Sequence, residues 1–450
     1  MNQPVLKALA AAAFALHAAP GFALDLMGAY GQAAAHDPAL AAAQQALLAG
    51  REKAVQGRAL LLPQVQLSAS ATHLSDHSSS AGLPPQLQDV VKPNGSGTMH
   101  ELALELKQPI LAAKSRADKK QLEQQTELAE LSFRDAQQDL MQRVAQAYFN
   151  VLLAEESLRV AQAEKAAVAL QRDRAQARFD VGRGKVTEVQ EAQARLDGVI
   201  TREVQAGSTL ALRQAQFEEL TGAKAQGLSA LRAGFSPQAP QPDDAQAWQS
   251  QAVAGNTRVL ARQREVSIAG FEIDKYKLGS RPTLDLVASA SYKGQSGGLS
   301  ELSAPDGKRS TVIGLQFKVP LYAGGAITSK ERESIARRGQ AERELDVARR
   351  DARLQAQDAY LSVKTGVSRV GSLEQSVRSA QTALEATALG RDVGTRTELD
   401  VLDAQQRLFA NQLDLAQARN DYLIGRIRLS AAAGALSETD LAALNDFLHR

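Results

Sequence analysis

The chain has 450 residues and a nearly balanced charge, with 52 basic and 50 acidic side chains and a formal net charge of +2. Because these charges are interspersed, the composition excludes a strongly basic nucleic-acid-binding surface. Aromatic residues make up only 4% of the chain, which favours long helices packed through small side chains. The sequence contains no cysteine, so we expect no disulfide, no thiolate chemistry and no lipid-anchored N-terminal cysteine.

Residues 1–23 have the pattern of a secretory signal peptide. Lys7 supplies a positive charge, an apolar run follows over residues 8–19, and Gly21-Phe22-Ala23 gives a cleavage site flanked by small residues. The apolar run is too short to span a membrane as a helix. We therefore expect an exported protein, with the exact cleavage position left open.

Alternating apolar and polar residues predict two strands in each half of the chain. After a helix that ends before Pro63, the alternation covers residues 64–73 and then 101–110. The second half shows the same alternation over residues 283–293 and 311–321. Each predicted strand therefore has one apolar and one polar face.

A very long helix is predicted after each pair of strands. Apolar residues step by four and three through residues 129–151, which is the coiled-coil rhythm. The first helix, about 112–180, would be roughly 100 Å long at 1.5 Å per residue. The second covers about 327–392. Gly182 and Gly394 follow these helices, where a glycine can adopt the left-handed conformation and reverse the chain into a returning helix.

The second half of the chain repeats the first. The motif Ala-Tyr-x-x-Val occurs at Ala147 and again at Ala359, and the tip sequence that begins at Val181 recurs at Val393; both pairs are 212 residues apart. Constant spacing of unrelated motifs indicates an internal duplication. The predicted organisation is a signal peptide (1–23), a first repeat (24–222), a connection (223–244), a second repeat (245–436) and a C-terminal segment (437–450).

Two carboxylates follow the second reversal on one helical face, Asp400 and Asp403, three residues apart. Glu188 holds the position of Asp400 in the first repeat. One interpretation is local, since Thr397 with Asp400 resembles a capping box and Thr187 begins a similar pattern. The other interpretation is that the acidic face has a function, and its place in both copies of the repeat favours this interpretation.

Four strands are too few to close a membrane barrel, yet apolar faces and unpaired strand edges must be covered. Association of three copies gives twelve strands, which lies within the range of outer-membrane barrels. We therefore predict an α+β membrane protein, a trimeric channel-tunnel. Its 12-stranded transmembrane β-barrel would be continued by a long α-helical coiled-coil barrel.

The order of motifs resembles the TolC family of outer-membrane efflux proteins over essentially the whole mature chain. It begins with LLPQVQLSASA, QPIL and AYFNVLLAEE and is repeated as SRPTLDLVASA, VPLYAGG and DAYLSV. The tip VGTRTELDVLDAQ, which starts at Val393, is the most specific match. The resemblance implies a homotrimeric duct in the outer membrane, with its helical part in the periplasm. Such a duct carries substrate from an inner-membrane transporter and a periplasmic adaptor to the exterior.

The resemblance also implies roles for particular residues at the tips. Asp400 and Asp403 would form acidic rings that narrow the periplasmic entrance, and such rings could bind a blocking multivalent cation. Arg396 would pair with Thr187 and Glu188 in the closed state, which is the family's constraint on the gate.

Arg391 stands where the family has a tip tyrosine, so an additional arginine–carboxylate pair would replace one gating hydrogen bond. The resemblance leaves the cargo open between secreted proteins and small molecules, and it leaves the adaptor and transporter unspecified. No catalytic motif is present, so we expect no enzyme activity, no cofactor and no resident metal.

Two other classes of protein account for only part of the sequence. A periplasmic coiled-coil scaffold or adaptor would explain the helices but not four amphipathic strands bounded by proline. A general diffusion porin would explain strands but would need many more of them in one chain.

Overall fold

The computed structural model describes residues 24–77, 84, 94–232, 234–298 and 307–448. The expected signal peptide therefore lies outside the described residues. The chain divides into two compact units. The described parts of 1–43, 134–259 and 349–450 form one unit, and those of 44–133 and 260–348 form the other.

The secondary structure follows the predicted order of helices and strands. The helices are α1 (Leu26–His36), α2 (Pro38–Ala59), α3 (Ala113–Asp180), α4 (Val186–Thr221), α5 (Ala245–Gly255), α6 (Thr257–Lys277), α7 (Ala326–Asp392), α8 (Glu398–Ala432) and α9 (Glu438–Asn445). The strands are β1 (Gln64–His77), β2 (Asn94–Leu111), β3 (Thr283–Gly298) and β4 (Gly307–Lys318). In the part of the chain that the structure describes, none of the helices combines the length and apolar character needed to cross a lipid bilayer.

The first three strands extend beyond the alternating segments that predicted them. β1 continues to His77 and β2 already begins at Asn94, because backbone pairing persists through residues that have no apolar alternation. β4 begins before its predicted start, at Gly307, but ends at Lys318, before the predicted end at residue 321. Pro320 follows two residues later and has no N–H to donate to a neighbouring strand.

The four strands form one antiparallel sheet in the order β1-β2-β3-β4. The register aligns Leu67 with Leu104, Leu104 with Ala290, and Ala288 with Ile313, so the apolar residues of all four strands share one face. This face is open, and Ile313 is 75% exposed. Among the described residues, β1 and β4 each pair along one edge only.

The opposite face of the sheet is polar and carries paired charges. Lys107 Nζ lies 3.1 Å from Asp285 Oδ2, and Lys293 Nζ lies 3.0 Å from Glu101 Oε1. Both pairs join β2 to β3, and their charges compensate each other. A sheet with one apolar face and one charged face has the pattern of a transmembrane barrel, in which one face contacts lipid and the other lines the lumen.

The segment before β3 contains two helices, α5 and α6, rather than one continuous helix, with Asn256 between them. Asn256 Oδ1 accepts a hydrogen bond from the Arg258 N–H (3.0 Å), and Asn256 Nδ2 donates to Ala432 O (3.1 Å). Gly255 and Gly434 approach so closely that a Cβ on Gly434 would lie 2.1 Å from Gly255 O. The break therefore permits close packing of this segment against the end of α8.

A buried cluster of aromatic and aliphatic side chains fills the unit that contains both hairpin tips. Tyr148 is fully buried and packs edge-on against Phe149 and Phe217. Its hydroxyl lies 3.0 Å from Leu24 O and 2.9 Å from Ser229 O, so the polar end of the ring is satisfied. The Ala-Tyr-x-x-Val motif of the sequence is thus a core motif of this unit.

Candidate functional site at the hairpin tips

Both hairpins reverse through the same turn. Gly182 has φ of 73° and Gly394 has φ of 80°, the left-handed region that glycine adopts without steric penalty. The Arg183 N–H donates to Arg178 O and the Thr395 N–H donates to Gly390 O, each at 2.8 Å. These bonds close a Schellman-type helix end at equivalent positions of the two repeats.

The returning helices begin differently. In α8, Thr397 Oγ1 accepts from the Asp400 N–H (3.2 Å), and Asp400 Oδ2 accepts from the Thr397 N–H (2.8 Å), which forms a complete capping box. In α4, Lys185 is the N-cap residue and makes no side-chain capping bond. The capping pattern expected at Thr187 is wrong, because Thr187 already lies inside the first turn of the helix.

Asp400 is held in its ionised form. The pKa of its carboxyl group is lowered from the usual value because the Thr397 N–H and hydroxyl donate hydrogen bonds to the anion. The positive charges of Arg396 and Arg407 lower the pKa further. The same carboxylate therefore caps the helix and places a negative charge at the tip, so the two interpretations of Asp400 do not exclude each other.

Asp403 contacts the other hairpin. The guanidinium group of Arg195, on α4, donates to Asp403 Oδ1 and also to Gln406 Oε1 on α8. The side chains of Arg195 and Asp403 are 35% and 41% exposed, so the ion pair is partly solvated. Arg407, one turn further along α8, donates instead to the main-chain oxygen of Asp403 at 3.2 Å.

Glu398 is a buried carboxylate in the first turn of α8, with a side chain only 2% exposed. Arg178 Nη1, from α3, lies 3.4 Å from Glu398 Oε2, and Arg391 Nη1 lies 3.4 Å from Glu398 Oε1. Arg391 also donates to Gln171 Oε1 on α3 at 3.2 Å and to Asp392 Oδ1 at 2.6 Å. Burial of Glu398 between two arginines therefore ties the second tip to the first hairpin.

These groups line a cavity of about 650 Å³ between the hairpins. The lining residues are Arg174, Ala177, Arg178, Arg391, Asp392 and Glu398. Sequence reasoning missed Glu398, Arg178 and Arg195. A signal for Glu398 was present, because this acid stands where the first repeat has Val186 and so breaks the similarity of the two tips.

A family model described as "Outer membrane efflux protein" matches residues 29–223 and 248–435. The two matched segments correspond to the two halves of the duplication. The chain belongs to this family. The family is one of efflux ducts rather than enzymes, and the predicted family and outer-membrane location are confirmed.

The similarity of this outer membrane efflux protein to known proteins covers nearly its full length. It is 31% identical over 425 residues to the outer membrane protein TolC of Vibrio cholerae, covering 94% of each chain. It is 29% identical over 422 residues to the alkaline protease secretion protein AprF of Pseudomonas aeruginosa, covering 93% of this chain and 86% of that protein. The solved structure of the outer membrane protein VceC from Vibrio cholerae matches with a TM-score of 0.75 at 20% identity, over 91% of this chain and 96% of that chain.

These similarities confirm the predicted channel-tunnel fold with its internal duplication. The protein is an outer-membrane exit duct of the kind used in efflux and type I secretion, and its helical part lies in the periplasm. The hairpin tips belong to this helical part.

The tip residues of this outer membrane efflux protein fall into two groups. Arg391 contacts a carboxylate, Glu398, and Asp400 and Asp403 lie in adjacent turns of α8. By contrast, no hydrogen bond or ion pair within the described chain joins Arg396 to Thr187 or Glu188. Arg178, Arg195 and Arg391 instead form polar contacts across the hairpins near the tips, and Leu402 packs in a buried cluster with side chains of the first hairpin.

Proposed function

We propose that the hairpin tips form the periplasmic gate of the duct, with Asp400 and Asp403 as an acidic ring around its constriction. The observation that carries this proposal is the set of links across the hairpins at the second tip. Asp403 contacts Arg195, Glu398 contacts Arg178, and Arg391 contacts Gln171, so the two acids lie in a segment held by the neighbouring hairpin. Opening would release these links.

Assembly of three copies would complete the duct. The sheet has two edges without partners among the described residues and an apolar face on which Leu67 is 67% and Phe317 is 63% exposed. Both features are unfavourable in a lone chain, since open edges and apolar patches are normally covered. Three sheets joined edge to edge would close a twelve-stranded barrel and turn the apolar face toward lipid.

The links are weak enough that binding of a partner protein could open the gate. A solvated pair such as Arg195 with Asp403 contributes about 0.2–1 kcal/mol. The link from Arg178 to Glu398 costs more to break, since it separates a charge from a carboxylate that is buried away from water. The closed state would thus be held by a few kcal/mol, which the binding energy of a protein partner can exceed.

The partners would be a periplasmic adaptor and an inner-membrane transporter, and the closed tip is the surface they would act on. The cargo would be secreted proteins, small molecules or both. A pore lined by charged rings selects by size and charge rather than by chemical detail. The relative AprF is named for secretion of an alkaline protease, which supports protein cargo.

Single-channel conductance in planar bilayers tests the gate. The wild-type protein would be compared with the double variant Asp400→Ala/Asp403→Ala, with and without a trivalent cation on the periplasmic side. The matched control is Asp414→Ala, an exposed acid further along α8. We expect a small, cation-selective conductance that the trivalent ion blocks in the wild type and in the control, but not in the double variant.

Equal block of the wild type and the double variant would leave Asp400 as a capping residue and Asp403 as a structural ion-pair partner. Absence of any conductance from folded wild-type trimers would contradict the channel itself. Dissociation into stable monomers in membrane-mimetic detergent would contradict the trimer.

A further inference from the structure

The carboxylates at the second tip are not equivalent. Within the part of the chain that the structure describes, Asp400 Oδ2 accepts only from Thr397, whose donors are uncharged. Asp403, one turn later, contacts the guanidinium group of Arg195. An ion pair weakens the negative potential around a carboxylate far more than a hydrogen bond from a neutral group does, because it brings an opposite unit charge within contact distance.

Three arginines lie near Asp400 and Asp403, but their guanidinium groups differ in the atoms that they contact. Arg407 donates to the main-chain oxygen of Asp403. Arg396 influences Asp400 through space and makes no hydrogen bond to it within the described residues. Only Arg195 is fixed on a carboxylate oxygen, and Gln406 Oε1 holds the other end of its guanidinium fork.

The duplication makes the position of Arg195 informative. Arg195 and Arg407 are equivalent residues, 212 positions apart. Arg407 follows Asp403 by one helical turn on α8, whereas Arg195 approaches Asp403 from α4. The first repeat thus supplies the cation that compensates an acid of the second repeat.

We propose that Arg195 sets the charge of the acidic ring and is therefore a selectivity-determining residue of the duct. It compensates Asp403, so that the attraction for cations comes mainly from Asp400. This inference rests on the proposed gate at the tips. In an assembly of three copies, the three Arg195 guanidinium groups would compensate three of the six carboxylates of Asp400 and Asp403, which halves the negative charge of these carboxylates.

Three variants separate charge from structure. Arg195→Gln removes the charge, Arg195→Lys keeps it without the two-pronged contact, and Gln406→Ala removes the second acceptor without changing any charge. The matched control is Arg202→Gln on the same helix, where the side chain pairs with Glu164 at 2.6 Å and not with the ring. Heat-stable trimers on gels would show that each variant folds.

The measurements are the reversal potential in a KCl gradient and the La³⁺ concentration that halves the conductance. We expect Arg195→Gln to be more cation-selective and to be half-blocked at about fivefold less La³⁺, the upper end of what one solvent-exposed ion pair changes. Arg195→Lys, Gln406→Ala and Arg202→Gln should all remain near the wild type in both measurements.

Two results would overturn the inference while leaving the gate intact. One is an Arg195→Gln channel with wild-type selectivity and block, although Asp400→Ala/Asp403→Ala relieves the block. The other is a shift in Gln406→Ala or Arg195→Lys as large as in Arg195→Gln, which would assign the effect to geometry. If Asp400→Ala/Asp403→Ala also leaves the block unchanged, the proposed gate fails, and the role of Arg195 fails with it.

Discussion

The two hairpin tips have the same turn but different chemistry after it. Gly182 and Gly394 reverse the chain with closely similar φ values of 73° and 80°. Immediately beyond, Val186 is 51% exposed in the first tip, whereas the equivalent Glu398 has a side chain only 2% exposed in the second. The duplicated backbone has been kept, while an exposed apolar side chain in one copy corresponds to a buried acid in the other.

In the two ion pairs that join the hairpins, the positive charge is on the first hairpin and the negative charge is on the second. The first hairpin supplies Arg178 and Arg195, and the second supplies their carboxylate partners Glu398 and Asp403. The two pairs differ in origin. Arg195 and Asp403 have residues of the same charge, Arg407 and Glu191, at the equivalent positions of the other repeat, whereas Arg178 and Glu398 have the uncharged Gly390 and Val186. Duplication therefore provided the scaffold and the charges of one link, and divergence of a few side chains added the buried one.

The largest effect is expected for Glu398→Gln. The change removes the buried charge shared by Arg178 and Arg391, and it leaves Arg391, whose side chain is 11% exposed, with Asp392 as its remaining ionic partner. The local stability of the second tip should fall by about 2 kcal/mol. Amide hydrogen exchange in the first turns of α8 should accelerate by roughly 30-fold, and conductance should rise.

The control for this experiment is Glu188→Gln, which makes the same chemical change at the first tip. Glu188 is partly exposed and has no ion pair within the described residues, so its exchange rates should stay close to those of the wild type. Equal exchange rates in Glu398→Gln and the wild type would show that the buried carboxylate does not hold the tip.

A smaller difference is expected between Thr397→Ala and Thr187→Ala. Thr397 caps α8 through a reciprocal bond with Asp400, and loss of such a cap typically costs about 1 kcal/mol. Thr187 lies inside the first turn of α4 and caps nothing, so Thr187→Ala should change stability by a few tenths of a kcal/mol at most. Thermal unfolding of trimers and amide exchange at each tip would measure the two effects. Similar costs at both positions would contradict the asymmetric helix starts.

Local patterns in the sequence were sufficient to predict the strands, the hairpin reversals and the duplication. Alternation over residues 64–73 and 283–293 predicted strands because one face of each strand is apolar, a property visible within a few residues. Gly182 and Gly394 predicted the reversals because only glycine readily takes positive φ at a helix end. The constant spacing of motifs predicted the duplication.

The contacts between hairpins could not be predicted in the same way. Arg195 and Asp403 are 208 residues apart, and Arg178 and Glu398 are 220 apart. No local pattern pairs residues at such distances, and which side chains meet depends on the relative rotation of helices about their axes. The break at Asn256 was missed for a related reason, since it depends on close packing against the end of α8.

The smallest effect concerns the pH at which Asp400 loses its charge. Its pKa lies below the ordinary value of 3.8, mainly because the Thr397 N–H and hydroxyl stabilise the anion. The contribution of this carboxylate to stability is therefore complete above the unfolded-state pKa and is lost as the pH falls through the lowered, folded-state pKa. If Asp400 supplies the La³⁺ site, the block should persist as the pH falls to the ordinary aspartate range and should disappear only below it.

Thr397→Ala sharpens this measurement, because it removes the hydroxyl donor but keeps the backbone N–H. The pKa of Asp400 should rise part of the way toward its ordinary value, and La³⁺ block should be lost at a higher pH than in the wild type. Thr187→Ala, at the first tip, should leave the pH dependence unchanged. The same midpoint for Thr397→Ala and the wild type would mean that the capped carboxylate is not the one that binds the blocking ion.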